Sequence, residues 1–349
     1  MQRMNVCPGA HWSDKVMSVL REQQLEACQE RLTRSPERGL FDDITPSEMK
    51  DIYPGSFYAA EAGGRLIPTP DALRRTVMDS ARREAMFLSE REDGLIKRMV
   101  VSDGQTVLDD WEDISAAEAL VRRLWCVIRI DEEQDTATLT LQQPLLAPVV
   151  EGLSSPDYPA VRQALFGFNA TLHALLYISG FLHAQVPARH FLQQLAGHKL
   201  PGDARLVERY LQSSFEYCRG EQDDMLLVHP GLYDPETLLS GLRRTEMRDE
   251  LHLTPEMMLG GMNGMLPEEA ASARAMATAL HGALRPEVDE DEALEDLRMM
   301  AKQGATLEEM REVLESMLCV LPTPRMLSAL RQLHLQTVRW IGMPPAVLN

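Results

Sequence analysis

Lysine is scarce in this chain. Of 35 basic residues only Lys15, Lys50, Lys97, Lys199 and Lys302 are lysine, an arginine bias that reads as bacterial-like genomic composition and not as function. Against 53 acidic residues the basic ones leave a net charge of −18. A field of that sign repels phosphate backbones and anionic lipid, so nucleic acid is disfavoured as a partner. Cysteine is also sparse: Cys7, Cys28, Cys126, Cys218 and Cys319 are scattered, without a C-x-x-C pair. That argues against a disulfide framework or a thiolate zinc site, and for a reducing compartment. Cys7-x3-His11 is half a metal site without a second close pair. Catalytic signatures are missing too, with no H-E-x-x-H, no G-x-S-x-G and no phosphate-loop pattern. No cofactor and no metal are therefore expected. MQRMNVCPGAHW lacks the apolar core of a signal peptide, and the expected location is the cytoplasm.

What the chain does have is ordinary globular material. Its 349 residues are 44% apolar and 25% charged, enough for a sizeable core and, by length, two domains. One stretch stands apart: residues 163–188 contain a long run without Asp or Glu, Lys or Arg, reading ALFGFNATLHALLYISGFLHAQV. Helical spacing gathers Phe168, Leu172, Leu175, Leu182 and Val186 on one arc, with Leu165 and Leu176 at its margin. The opposite arc is small and polar: Gly167, Asn169, Ala170, His173, Ala174, Tyr177, Gly180 and Ala184. Small residues there allow close approach of a second helix, and Asn169, His173 and Tyr177 form a line at i, i+4 and i+8. A membrane span is disfavoured by marginal length and by the cost of two His, Asn, Thr and Ser in hydrocarbon. The stretch is expected to be a buried central helix over 161–186. Its polar line, with His183, is the candidate pocket: Asn169, His173, Tyr177 and His183. His190 and His198 follow, but His173 and His183 point about 80° apart on a helix and are not natural co-ligands.

Before this helix, residues 1–150 read as an α+β domain. Ser13 can cap a helix to about Leu32; Thr45-Pro46-Ser47-Glu48, Thr69-Pro70 and Ser89-Glu90-Arg91-Glu92 mark three further helix starts. Hairpins are expected near 99–108, around Asp103-Gly104, and near 125–141, where Ala137, Leu139 and Leu141 alternate with threonines. A helix of about 114–124 lies between them. This order resembles a winged helix-turn-helix in outline, in which Arg122 and Arg123 would touch DNA. The tip of that wing, Asp131 to Asp135, is acidic, which is the wrong charge for phosphate. Pro144 to Pro159, with four prolines and no clear period, is the expected boundary.

Residues 151–349 are expected to be an all-helical, bundle-like domain. Segments near 188–196, 204–218, 235–252, 254–259, 266–284, 290–303, 306–320 and 324–339 carry helical patterns, and no strand competes with them. Gly304 and the Thr306-x-x-Glu309 box outline a second helix-turn-helix, but its second helix is acidic and fits a bundle hairpin better. Met257, Met258, Met262 and Met265 crowd the glycine-rich 259–266 segment, as core filler or as an adaptable partner surface. The acidic run 287–296 matches a helix start better than a calcium loop. Asp249-x-x-His252 is expected to be a solvated pair. The fold expected is thus mainly α, an α+β region followed by a helical bundle. The expected function is non-catalytic protein interaction or scaffolding, through a protein partner or self-association. The alternatives are a winged-helix-like regulator and an enzyme or metal protein built on the His173/Tyr177 helix.

Overall fold

The computed structural model describes residues 45–61, 67–108, 110–131, 133–134, 136–219, 225–232 and 253–340. The expected helix near Ser13, the Cys7/His11 pair, the 235–252 segment and the Asp249/His252 pair lie outside the described residues. The chain is mainly helical with two small three-stranded antiparallel sheets. It forms two compact units, Met1–Leu165 with His190–Ser214, and Phe166–Arg189 with Phe215–Asn349. These are drawn differently from the expected 1–150 and 151–349 division.

In the first unit, local capping chemistry sets the helix starts. After α1 (Pro46–Ile52) and α2 (Phe57–Glu61), α3 (Pro70–Glu84) begins where the Thr69 side chain accepts from the Ala72 N–H at 3.3 Å. Helix α4 (Glu90–Val101) begins with a complete capping box between Ser89 and Glu92. The first hairpin does not form. Met99 to Val101 end α4, and the Gly104 N–H closes back onto the Met99 carbonyl at 2.7 Å. Asp103 and Gly104, at φ of 55° and 87°, supply a left-handed helix stop, a geometry Asp-Gly serves as readily as a hairpin turn. Strand β1 (Gln105–Val107) then pairs with β3 (Thr136–Leu141), which also pairs with β2 (Cys126–Asp131), giving the order β1-β3-β2.

The 125–141 hairpin is present, with Cys126 opposite Leu141 and Asp131 opposite Thr136. Ala137, Leu139 and Leu141 are buried while the threonines between them stay half-buried. Helix α5 (Trp111–Arg122), capped by Asp110, sits between β1 and β2 in the chain. Leu73 and Val77 of α3, Leu95 and Ile96 of α4, Leu120 of α5 and Ile128 of β2 share one core. Each such side chain contributes roughly 1.5–3 kcal/mol on full burial.

The proline-rich segment is not an irregular linker: α6 (Gln143–Leu153) runs through it, with Pro144 in its first turn and Pro148 inside. Leu145, Val149 and Gly152 form its buried stripe at i, i+4 and i+7. A Cβ on Gly152 would meet the Arg82 carbonyl and come within 2.7 Å of the Ala85 Cβ, so the glycine lets α6 lie directly on α3. Most of α8 (Gln185–Gly197) and all of α9 (Ala204–Ser214) belong to this unit as well.

The central helix is α7 (Tyr158–Ser179), shorter at its C-terminal end than the expected 161–186. Gly180, at φ +80°, ends it, and the chain turns into β4 (Phe181–His183). In the second unit β4 joins β5 (Tyr217–Arg219) and β6 (Met225–Val228) in a sheet of order β4-β6-β5, where only helix was expected. Strands of three and four residues are too short to show a period, and Gly180 was the one local signal of a break. Helices α10 (Pro255–Met262), α11 (Ala270–Leu280), α12 (Glu290–Lys302), α13 (Leu307–Met317) and α14 (Pro324–Gln336) complete the unit. Thr254, Asp289, Thr306 and Thr323 cap four of them. Asp289 accepts from the Asp291 and Glu292 N–H groups, so the acidic run does mark a helix start.

The small-residue arc of α7 does receive a close neighbour. A Cβ on Gly261 of α10 would lie 2.7 Å from the Ala174 carbonyl oxygen and 2.9 Å from its Cα. Gly261→Ala therefore drives backbone against backbone. Urea denaturation should show it destabilised by about 1–3 kcal/mol, the usual range for overpacking, whereas Gly167→Ala, facing open space, should not be destabilised.

Candidate functional site

Tyr177 carries the polar line of α7 into the interior of the second unit. Its hydroxyl donates to Glu269 Oε2 at 2.7 Å and accepts from Arg298 Nη2. Glu269, the residue before α11, is fully buried; its Oε1 accepts from Lys302 Nζ at 2.7 Å and from the Val338 N–H at 3.1 Å. Lys302 Nζ stands 4.1 Å from the Tyr177 ring centroid, and Arg298 also pairs with Glu295 at 2.7 Å. The Trp340 indole N–H donates to the Tyr177 carbonyl at 2.9 Å, and the His229 ring lies 5.9 Å from the Tyr177 ring and 5.1 Å from that of Trp340. A side chain at Gly180 would strike Trp340 at 2.7 Å, so that glycine serves packing as well as the turn.

The electrostatics follow from burial and compensation. Removal from water raises the Tyr177 pKa above its ordinary value, and the Glu269 charge raises it further. Burial alone would raise Glu269, but the Lys302 charge, the bonds from Lys302 and Tyr177, and the Val338 N–H together hold it below the ordinary carboxylate value. Burial lowers Lys302, against the pull of Glu269. Tyr177 is thus held as a neutral donor between a carboxylate and two cations. Such an arrangement braces α7, α11, α12 and the chain at Val338; it does not present a reactive atom.

The other expected site residues do not join it. Asn169 is half-buried, and His173 lies at the surface with one face of its ring 5.1 Å from Phe215. Loss of water on that face lowers the His173 pKa. His183 leaves the helix altogether and is half-buried on β4, opposite Leu226. The four residues therefore run from surface to core instead of lining one pocket. Among the described residues no group of three or more His, Cys, Asp or Glu is placed to hold a metal ion.

Arg122 and Arg123 are engaged within the first unit. Arg123, 1% exposed, donates to Glu92 at 2.8 Å, to Glu84 at 3.4 Å and to the Ser213 hydroxyl at 3.0 Å. Glu84 also pairs with Arg209 of α9. Arg122 lies 4.7 Å from the Phe57 ring centroid and 3.8 Å from Glu118. Neither guanidinium is offered to a phosphate. An open cleft of about 530 Å³ lies elsewhere in this unit, between the start of α4 and the start of α5, and its charges pair across it: Arg98 with Asp113, and Arg91 with Asp110 at 4.0 Å.

Sequence reasoning missed Glu269, Arg298 and Lys302. One signal was present: Arg298 and Lys302 stand at i and i+4 beside Leu297 and Ala301, on the buried side of α12. Basic residues on an apolar face announce a buried partner.

No family model matches this chain, and no curated protein or solved structure matches it. Among the described residues no helix is long and apolar enough to cross a membrane.

Lys302→Met should cost about 3–5 kcal/mol in urea denaturation, because it strands a buried carboxylate. Tyr177→Phe should cost about 1–3 kcal/mol, and His173→Phe should stay within about 0.5 kcal/mol because the side chain lies at the surface and a phenyl ring keeps the contact with Phe215. Glu269 has a folded pKa below its unfolded one, so its stabilisation is present above the ordinary carboxylate value and is lost as pH falls through the lowered one. Melting temperatures taken from pH 6 to pH 2 should show that loss, and Glu269→Gln should flatten it while lowering stability at pH 6.

Proposed function

We propose that this is a non-catalytic protein-interaction or scaffolding protein. The observation that carries the reading is the outward face of α10. Gly260 and Gly261 are the buried residues of this short helix, Gly261 against the α7 backbone. Leu259 and Met262, three residues apart on one face, remain 61% and 44% exposed. A helix held by its glycines, with its larger apolar side chains in solvent, offers the adaptable contact surface that methionine-rich interfaces use. Met257 and Met258, by contrast, pack against the core. The partner is a protein with a complementary apolar patch, or a second copy of this chain.

The regulator and enzyme readings have less support, since Arg122, Arg123 and Tyr177 are committed to internal pairs. The reading places the protein in the cytoplasm, supported by the scattered cysteines, of which Cys126 and Cys319 are free thiols. It requires neither cofactor nor metal.

Sedimentation velocity over a hundredfold concentration range, with crosslinking and identification of captured partners, tests this. A Leu259→Ser/Met262→Ser double variant should keep its melting temperature within a few degrees and lose the association. If the wild-type chain forms no complex that the variant loses, the proposal is wrong.

A further inference from the structure

The first sheet carries a set of buried donors without partners. Thr140 Oγ1 on β3 and Arg129 Nη2 on β2 are both shielded from solvent and bonded to nothing among the described residues. The register sets Val127 opposite Thr140 and Arg129 opposite Thr138. Arg129 and Thr140 are therefore diagonal neighbours on one face of the sheet, at roughly 7–8 Å, within reach of a long side chain. It is the face opposite the one carrying Ala137, Leu139 and Leu141, which are buried in the core.

Both groups share a chemical bias. A guanidinium can only donate, and a threonine hydroxyl can donate. A buried donor left unpaired costs about 1–3 kcal/mol, more when charged. What satisfies this set must be an acceptor. The guanidinium favours a charged acceptor, and Arg129, half-buried, makes no ion pair among the described residues. Asp131, two residues on along β2 and on the same face, turns one oxygen into the β2–β3 turn, where it accepts from the Glu133 and Gln134 N–H groups at 3.0 Å each.

We propose that Arg129 and Thr140 form a binding site for a small oxyanion, either a phosphate group or a carboxylate. Binding is by charge-assisted hydrogen bonds from Arg129, with Thr140 setting the position. It involves no covalent step and does not depend on the interaction reading.

The test is calorimetric titration of the full chain with inorganic phosphate, and separately with acetate, at pH 7 and constant ionic strength. One saturable site per chain for either anion is expected, the stronger of the two naming the preferred oxyanion. Arg129→Gln should weaken it at least tenfold. Thr140→Val gives a signature with two signs: removal of an unpaired buried hydroxyl should raise the melting temperature without anion, while anion affinity falls several-fold. Absence of saturable binding by both anions overturns the proposal, and so does unchanged affinity in folded Arg129→Gln. Should Arg129→Gln not fold, unchanged affinity in Thr140→Val overturns it.

Discussion

A charge taken out of water must be compensated on the spot, and both units of this chain are arranged around that requirement. In the first, Glu84 and Glu92 face Arg123 and Arg209; in the second, Glu269 and Glu295 face Arg298 and Lys302. Each group is formally neutral. Desolvating an ion costs several kcal/mol, and a partner at bonding distance offsets that only when the remaining lone pairs and protons are also satisfied. The surrounding bonds meet most of that condition: Ser213 takes a third donor of Arg123, and the Tyr177 hydroxyl and the Val338 N–H complete Glu269, while Arg298 Nε has no hydrogen-bond partner among the described residues. Neither group adds much net stability over an apolar core of the same volume. What each adds is a geometry that tolerates the loss of no member.

This constraint also ties distant parts of the chain together. Arg209 sits on α9, far along the chain from Glu84, and its pairing holds the 190–214 segment in the first unit. Glu269 links α11 to Lys302 of α12 and to the chain beyond α14 at Val338. Glycines then set how closely the elements lie. Gly152 brings α6 onto α3, and Gly261 brings α10 onto α7. The functional reading depends on both effects. The ionic groups consume the arginines and the tyrosine that would otherwise suggest chemistry, and the glycines leave Leu259 and Met262 on the outside.

Much of the architecture was legible because it is local. Thr69, Ser89 and Thr306 cap helices through bonds made within three residues, so the cap and its helix read off the chain directly. The β2–β3 hairpin was legible because its alternation spans six residues. The Asp103-Gly104 pair misled, since positive φ serves a helix stop and a hairpin equally. The prolines of α6 hid a helical stripe, and β4, β5 and β6 were too short to carry one.

By itself, then, the sequence determined the helix starts, the mainly α class, the acidic field and the apolar arc of the central helix. These follow from side chains bonding to neighbouring backbone and from composition. Only the tertiary structure decided where that helix stops relative to His183, which unit receives residues 190–214, and which charges meet in the interior. Glu269 and Lys302 are 33 residues apart, and Tyr177 and Glu269 are 92 apart. No local period records such a pairing, because it arises when separate elements exclude water from the same place.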